Sequence, residues 1–469
     1  MLTRKEFLRT GAMSFPFLTS AFGPSAYGDG NKWTPNSKVR LACIGIGNQG
    51  GGDIGRLYGT KLCDIVALCD TDLGAAHTQE ILKRFPKAPT FTDFRRMFDE
   101  YDAGRLQFDA VLVGTPDHIH FVQTMAALKR HIPVYVEKPI AHTFEECRLL
   151  IEAERKYAGI VQMGNQGHSG KNYYQFKEYV EKGVIKDVSR IVAHMNLSRR
   201  WHRWNGKVDA FPAEEPMPST LDWNAWLGAI DLPLKHSKWL TNGNWRCWYA
   251  LGNGALGDWG AHILDTAHRF LELGLPYEID ITNVTGHNGF VFPMNDTLLF
   301  RFAANSKRGP VEVEWHEGQQ NPPKLPPNFI QPNRDGDIPP PGGTVGEKKS
   351  VVSPGKEIYQ RDGRVWAGAS HTGPLLDLDA PGKEPAYSPC GSNHYANFLL
   401  AVKGEEKVRS PISVAGPLCQ TFALGCIAQR LNRKIRFDAE RKVIVDDPVA
   451  DVLLKGPPPR KGWEDYYVI

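Results

Sequence analysis

The residues Gly45-Ile46-Gly47-Asn48-Gln49-Gly50 follow six that suit a buried strand, Val39–Ile44, and Asp53 to Leu57 can continue as helix. In such a strand–turn–helix each glycine has its own task. Gly45 allows the tight turn, Gly47 lets backbone approach a pyrophosphate, and Gly50 lets helix pack on strand. Asn48 and Gln49 complete the turn, and the helix start offers free N–H groups to phosphates. A second apolar run, Ile65–Cys69, ends at Asp70, where an acid can accept both ribose hydroxyls of an adenosine and repel a 2′-phosphate. Thr71 rather than a basic residue follows, so NAD is favoured over NADP. Further on, Lys138 stands in Glu137-Lys138-Pro139, where its ammonium could hold a substrate oxygen near a nicotinamide. Moving hydride from a carbinol carbon also requires a base for the hydroxyl proton. Lys138 and His262 are the candidates. Asp258, His262 and Asp265 stand at i, i+4 and i+7, hence on one helical face. Asp258 could equally be the N-cap of a helix over Trp259–Leu273, His262 a satisfied core histidine, and Asp265 a partner of Arg269.

These residues need a sheet to position them. Short apolar runs alternate with helical patterns from residue 38 to 163, the sequence form of a parallel sheet. Strands are predicted at Val39–Ile44, Ile65–Cys69, Asp109–Val113, Val134–Val136 and Ile160–Met163. Helices are predicted over Ala75–Phe85, Asp93–Glu100, His118–Arg130 and Phe144–Tyr157. Ligands of open α/β sheets bind at the carboxyl edge of the strands. Thr115, Pro116, His118 and His120 fall at that edge after the third strand, and Glu137 with Lys138 after the fourth. All are assigned to the cofactor, as is Asn165 after the next strand. Gln166 and His168 are softer candidates. His118 and His120 raise the question of a metal, but no third ligand is near in sequence, and no metal is expected.

The glycine fingerprint, Thr-Pro-Asp-His-x-His at Thr115–His120, Glu-Lys-Pro at 137–139 and Asp-x-x-x-His at 258–262 occur in one order. In that order they resemble the glucose–fructose oxidoreductase / inositol dehydrogenase / MocA (Gfo/Idh/MocA) family, from about Lys38 to the C-terminus. The resemblance implies an N-terminal Rossmann domain over residues 38–163. An α/β domain with a large, mostly antiparallel sheet would follow over 164–469, serving as substrate wall and as the interface of a dimer or tetramer. It further implies NAD-dependent oxidoreduction of a sugar, polyol or glycoside, with Lys138 at the reacting oxygen. His262 becomes the general base, and Asp258 orients it or binds a substrate hydroxyl. Two other readings stay open. Some members cleave glycosides by transient oxidation and elimination, with NAD tightly held. A non-catalytic sugar- or nucleotide-binding relative is the other, against which the intact Lys138 and His262 stand.

In the second region, Ser189–Leu197, Thr297–Ala303 and Val311–Trp315 alternate as half-buried strands do. Asn321 to Gly343 is proline-rich and reads as a surface loop. His394–Val402 and Val414–Leu431 fit helices. Arg199, Arg200, Trp201, His202 and Trp204 could line a polar sugar pocket, as could Trp245, Arg246 and Trp248; each also has a plain scaffold reading. A net charge of +4 on 469 residues calls for no nucleic-acid partner. The cysteines show no zinc spacing. Thr3-Arg4-Lys5-Glu6-Phe7-Leu8 before a short apolar run and small residues to Gly28 has the layout of a twin-arginine-like export signal over residues 1–28. It is too short to span a bilayer, and no other segment is apolar enough to do so. A periplasmic location is expected.

Overall fold

Val39–Ile44 forms β1, apolar at almost every position because the strand is covered on both faces. Asn48–Gly59 follows as α1, then β2 (Cys63–Cys69), α2 (Gln79–Arg84) and β3 (Thr90–Phe91). The unit continues through α3 (Phe94–Asp102), β4 (Ala110–Val113), α4 (Asp117–Leu128) and β5 (Val134–Val136). It closes with α5 (Phe144–Tyr157) and β6 (Val161–Met163). The six strands pair in parallel in the order β3-β2-β1-β4-β5-β6. The order reverses direction between β1 and β4, which opens a crevice at their carboxyl ends. The helix expected over 75–85 is divided, with a 3-10 turn at Ala76–Thr78 preceding α2. The Thr78 hydroxyl donates to the Ala75 carbonyl at 2.8 Å, a local bond that competes with regular helix.

This computed structural model describes residues 34, 36–195, 208–332, 353–371 and 373–469. Pro35–Ile469 is one compact unit. The signal-like stretch 1–28 and the run Arg199–Trp204 lie outside the described residues, as does the loop beyond Pro332. The part of that loop from Asn321 to Pro332 has neither helix nor strand.

After β6 come α6 (Lys171–Glu181), β7 (Val188–Met195), α7 (Trp223–Leu227), α8 (Gly254–Ile263) and α9 (Asp265–Phe270). Then follow β8 (Glu278–Thr285), β9 (Asn295–Phe302), β10 (Val311–Glu317), β11 (Gly355–Gln360), β12 (Val365–Ala369) and β13 (Leu376–Asp377). The chain ends with α10 (His394–Val402), α11 (Ile412–Leu431), β14 (Ile435–Asp438), β15 (Val443–Ile444) and α12 (Pro448–Lys455). Nine strands form one sheet in the order β13-β12-β11-β7-β10-β9-β8-β14-β15. Its pairings are antiparallel except β7 with β10. Ile279, Leu298, Phe300, Val313 and Trp315 point from this sheet into a core shared with α8 and α11. By length and composition α11 could cross a bilayer, but 78% of its apolar window is buried inside the protein.

The glycine-rich stretch Gly254–Gly257 before Asp258 is already helix. Its glycines let α8 pack where side chains would not fit, and this close approach overrides glycine's poor helix propensity. A Cβ on Gly260 would come within 2.8 Å of the Phe422 ring on α11. Asp258 is therefore inside the helix, and the N-cap position belongs to Asn253. Leu264 interrupts the predicted single helix, so Asp265 opens α9 instead of extending the face of His262.

The turn between β1 and α1 tolerates no added atom. A Cβ on Gly50 would collide with the backbone oxygen of Gly45, and one on Gly45 would sit 2.7 Å from the backbone of Gly114. Gly50→Ala should therefore destabilise the protein by ~1–3 kcal/mol or more, the range for overpacked sites. A denaturant midpoint unchanged from the parent would contradict this turn geometry.

Candidate active site

A cavity of about 700 Å³ opens at the carboxyl edge of the first sheet, where the strand order reverses. Gly45, Gly47, Asn48 and Gln49 line it, followed by Asp70, Thr115, Pro116, Glu137 and Lys138. These nine sequence-predicted residues are thus brought together. No side chain caps the N-terminus of α1, so its first-turn N–H donors are left for an anion. The imidazole of His77 packs against Gly47 and lines the same cavity. Asp70 accepts N–H bonds from Ile46 at 2.9 Å and Asp72 at 3.1 Å. Burial raises the pKa of its carboxyl, and the two N–H bonds work against that rise. With Asp72 close by, this end is acidic and suits ribose hydroxyls rather than a 2′-phosphate. Glycine turn, open helix terminus and acid together fit a dinucleotide.

A roof from the second region completes the cavity. Pro218, Leu221, Trp226, Trp245 and Arg246 line it from above. The roof is fastened to the acid loop. Asp222 N–H donates to the Thr71 carbonyl at 2.8 Å, and the Thr220 hydroxyl donates to Asp72 at 2.6 Å.

Lys138 stands just past the end of β5, and its Nζ donates to Asp258 Oδ1 at 2.7 Å. Arg246 Nε faces the same oxygen at 3.5 Å. Asp117 also lines the cavity and accepts the Asn253 N–H at 3.0 Å. Burial pushes its pKa up to about 7, although Arg246 and Lys138 pull it down. Gln166 Nε2 donates to Glu137 Oε1 at 3.0 Å, fixing the neighbour of Lys138 from below.

Other expected site residues are placed elsewhere. Gly50 is buried within the turn itself, where it closes the approach of helix to strand. His118 does not line the cavity; its Nε2 meets the Trp226 carbonyl at 2.8 Å, and burial lowers its pKa to about 4. His120 is turned inward between the carbonyls of Pro139 and Thr115, each at 2.7 Å, joining the two motif loops. Asn165 is 1% exposed and donates to Asp265 at 3.4 Å. Asp265 meets His168 rather than Arg269, at 3.1 Å.

His262 is buried one turn beyond Asp258 and is not among the lining residues. Its ring stacks on His371 with centroids 4.0 Å apart, and His371 N–H donates to the His262 carbonyl at 3.0 Å. The direct partner of Lys138 is therefore Asp258. His371 escaped the sequence reading because a lone histidine after β12 carries no motif. Asp117 was within a recognised motif, but nothing in the sequence indicated that it would be buried beside two cations.

Asp117 makes the site's stability depend on pH. Its folded pKa of about 7 lies above the ordinary 3.8. Its contribution is thus complete below about pH 4 and is lost as pH rises through 7. Asp117→Asn keeps an acceptor for the Asn253 N–H. It should be more stable than the parent above pH 7, by on the order of 2–4 kcal/mol, with no advantage near pH 4. Parallel pH–stability curves for the two proteins would contradict a proton held there.

Residues 39–165 match the family model for the oxidoreductase family, NAD-binding Rossmann fold, of Gfo/Idh/MocA. Residues 169–295 match the model for that family's C-terminal alpha/beta domain. An inositol 2-dehydrogenase of Salmonella typhimurium is 29% identical over 150 residues, 31% of this chain and 43% of that protein. A glycosyl hydrolase family 109 protein of Streptomyces niveus is 31% identical over 156 residues, 32% of this chain and 31% of that protein. The matched segment thus spans less than half the length of either relative. Among solved structures, the WlbA dehydrogenase from Bordetella pertussis, in complex with NADH and UDP-GlcNAcA, has a TM-score of 0.54 at 14% identity. That alignment covers 86% of this chain and 99% of that one, a likeness of fold. Two matched segments that together take in more than half of the chain, on a fold that carries the motifs in place, make this protein a member of the Gfo/Idh/MocA oxidoreductase family with an NAD-binding Rossmann fold.

Proposed function

We propose that the protein is an NAD-dependent oxidoreductase that transfers hydride between the carbinol carbon of a sugar, polyol or glycoside and nicotinamide. The observation that carries this reading is Lys138, which lines the same cavity as the glycine turn and Asp70 and is held from behind by Asp258 at 2.7 Å. The dinucleotide, when bound, supplies the hydride acceptor. Lys138 donates a hydrogen bond to the reacting oxygen and favours the charge that develops there as its proton leaves. Asp258 holds the ammonium in position. His262, one turn beyond Asp258 on the same face of α8 and behind the cavity wall, takes the proton in oxidation through one bridging water and returns it in reduction. Asp70 and the first turn of α1 hold the ribose and pyrophosphate.

A second reading is glycoside cleavage by transient oxidation. The roof fastened to Thr71 and Asp72 favours it, because an enclosed nucleotide suits a cycle in which hydride leaves and returns. The named glycosyl hydrolase family 109 relative is compatible with it. One experiment serves both readings: single-turnover reduction of NAD⁺ on the protein, followed at the NADH absorbance band, with sugars, inositols and nitrophenyl glycosides. Nitrophenol released without accumulated NADH marks the second reading.

Lys138→Met and His262→Ala should each lower the rate ~10²–10⁴-fold, the usual range for acid–base assistance, with NAD affinity nearly unchanged. Their losses should not add, because both serve one proton transfer. Near-parental rates in both variants would sink the assignment. So would an equal loss of NAD binding, which would make these residues scaffold.

The N-terminal stretch, with Arg4, Phe7 and Leu8 before a short apolar run, supports an exported, periplasmic protein. Mass spectrometry of the native protein should find a terminus between Gly23 and Gly30. An intact Met1 on protein taken from the cytoplasmic fraction would overturn this.

A further inference from the structure

A mostly buried guanidinium needs acceptors for five N–H donors in a fixed fork. Arg246 lies in the short 3-10 turn Asn244–Cys247, and its side chain is 24% exposed. Its backbone is held in place, because a Cβ on Gly252 would come within 2.8 Å of Arg246 Cα. Its guanidinium lies over the Trp245 ring at 4.1 Å, a stacked setting that limits its freedom. Both residues line the cavity.

Among the described residues, its one carboxylate partner is Asp258, through Nε at 3.5 Å. That oxygen is already taken by the nearer Lys138 ammonium at 2.7 Å. Among the described residues the terminal nitrogens of the fork meet no acceptor, and Nη1 lies over Gly243, another lining residue of the cavity. Two cations therefore share one carboxylate at this end. Asp117 adds a full negative charge only above about pH 7, since burial raises its pKa. Among the described residues the other lysine or arginine of this wall, Lys238, is neutralised by Glu215 at 3.1 Å. Among the described residues of the roof, Arg246 is thus the cation with binding capacity to spare.

The pyrophosphate is not the natural taker of that capacity. It belongs at the N-terminus of α1, after β1, whereas Lys138 follows β5, two strands away and so roughly 10 Å across the sheet. What fits is an anion with two oxygens in one plane, presented next to the oxygen that Lys138 holds. A carboxylate meets a guanidinium fork by two parallel bonds, which single ring hydroxyls do not match.

We propose that the substrate is an acidic sugar, a uronic acid or its glycoside, whose carboxylate is received by Arg246 while Lys138 holds the reacting hydroxyl. This rests on the oxidoreductase reading for the hydroxyl and on the geometry of Arg246 for the carboxylate. The two parts are separable by experiment.

The test is calorimetry on the full protein saturated with NADH, so that no oxidation intervenes. Glucuronate and galacturonate are titrated beside glucose and galactose, into the parent, Arg246→Met and Arg246→Lys. The acids should bind the parent at least tenfold more tightly than their neutral counterparts. Arg246→Met should lose that margin, about tenfold to a hundredfold for a charge-assisted bidentate contact. Arg246→Lys should recover part of it, and neutral-sugar and NADH affinities should fall by much less than acid affinity in Arg246→Met. Acids that bind the parent no better than neutral sugars would overturn the proposal. A preference that survives in Arg246→Met would do so too, as would an equal loss of NADH affinity in that variant. Acid binding that depends on Arg246, with no sugar able to reduce bound NAD⁺, would sustain the carboxylate site and refute the oxidoreductase reading. Reduction of NAD⁺ by neutral sugars with no preference for acids would do the reverse.

Discussion

The ammonium of Lys138 and the carboxylate of Asp258 are 9% and 7% exposed, 2.7 Å apart, on elements separated by 120 residues. Charges this far from water are tolerated when they are paired, and removing one partner of such a pair costs about 3–5 kcal/mol. The pair therefore fixes where the end of β5 and the middle of α8 stand relative to each other. Much of the surrounding structure serves that placement. Gly260 brings α8 against α11, and the core face of the nine-stranded sheet packs beneath both. His120 ties the loop after β4 to the loop after β5 through two carbonyls, holding the peptide next to Lys138. What would be an expense in a plain core becomes useful at a site. On the proposed reading, a substrate oxygen entering beside Lys138 meets an ammonium already oriented, in surroundings where electrostatics are strong.

The roof adds the second constraint. Trp226, Trp245, Trp248, Leu240 and Leu251 form a small core of their own, apart from the main one. That core lets residues 218–246 keep their shape over the cavity while touching the first sheet's loops at Thr71 and Asp72. The tryptophans of this region divide by role. Trp226 and Trp245 face the cavity, while Trp248 and Trp259 are buried scaffold.

The first sheet and the nucleotide end of the site were legible because each depends on local pattern. Apolar runs marked the strands, and three glycines with one acid marked the turn and the carboxylate that lines the cavity beside it. Lys138 was legible for the same reason. What the sequence concealed depends on contacts distant along the chain. The helix status of Gly254–Gly257 comes from packing against Phe292 and α11, which no local propensity reveals. His118 sits in a motif yet is drawn inward by the Trp226 carbonyl, 108 residues away. That Asp258 pairs with Lys138, while His262 one turn on stacks against His371, is likewise set by how α8 is docked.

The central claim is that nicotinamide and substrate meet above Lys138, with the pair to Asp258 as the fixed point. The most direct measurement is a crystal structure of the full protein soaked with NAD⁺. The account predicts pyrophosphate at Gly47–Gln49, ribose on Asp70, and the reactive face of nicotinamide open toward Lys138, with room for an oxygen about 3–3.5 Å from the reacting carbon. Nicotinamide turned away from Lys138, or a nucleotide bound without contact to Asp70 and the glycine turn, would contradict it.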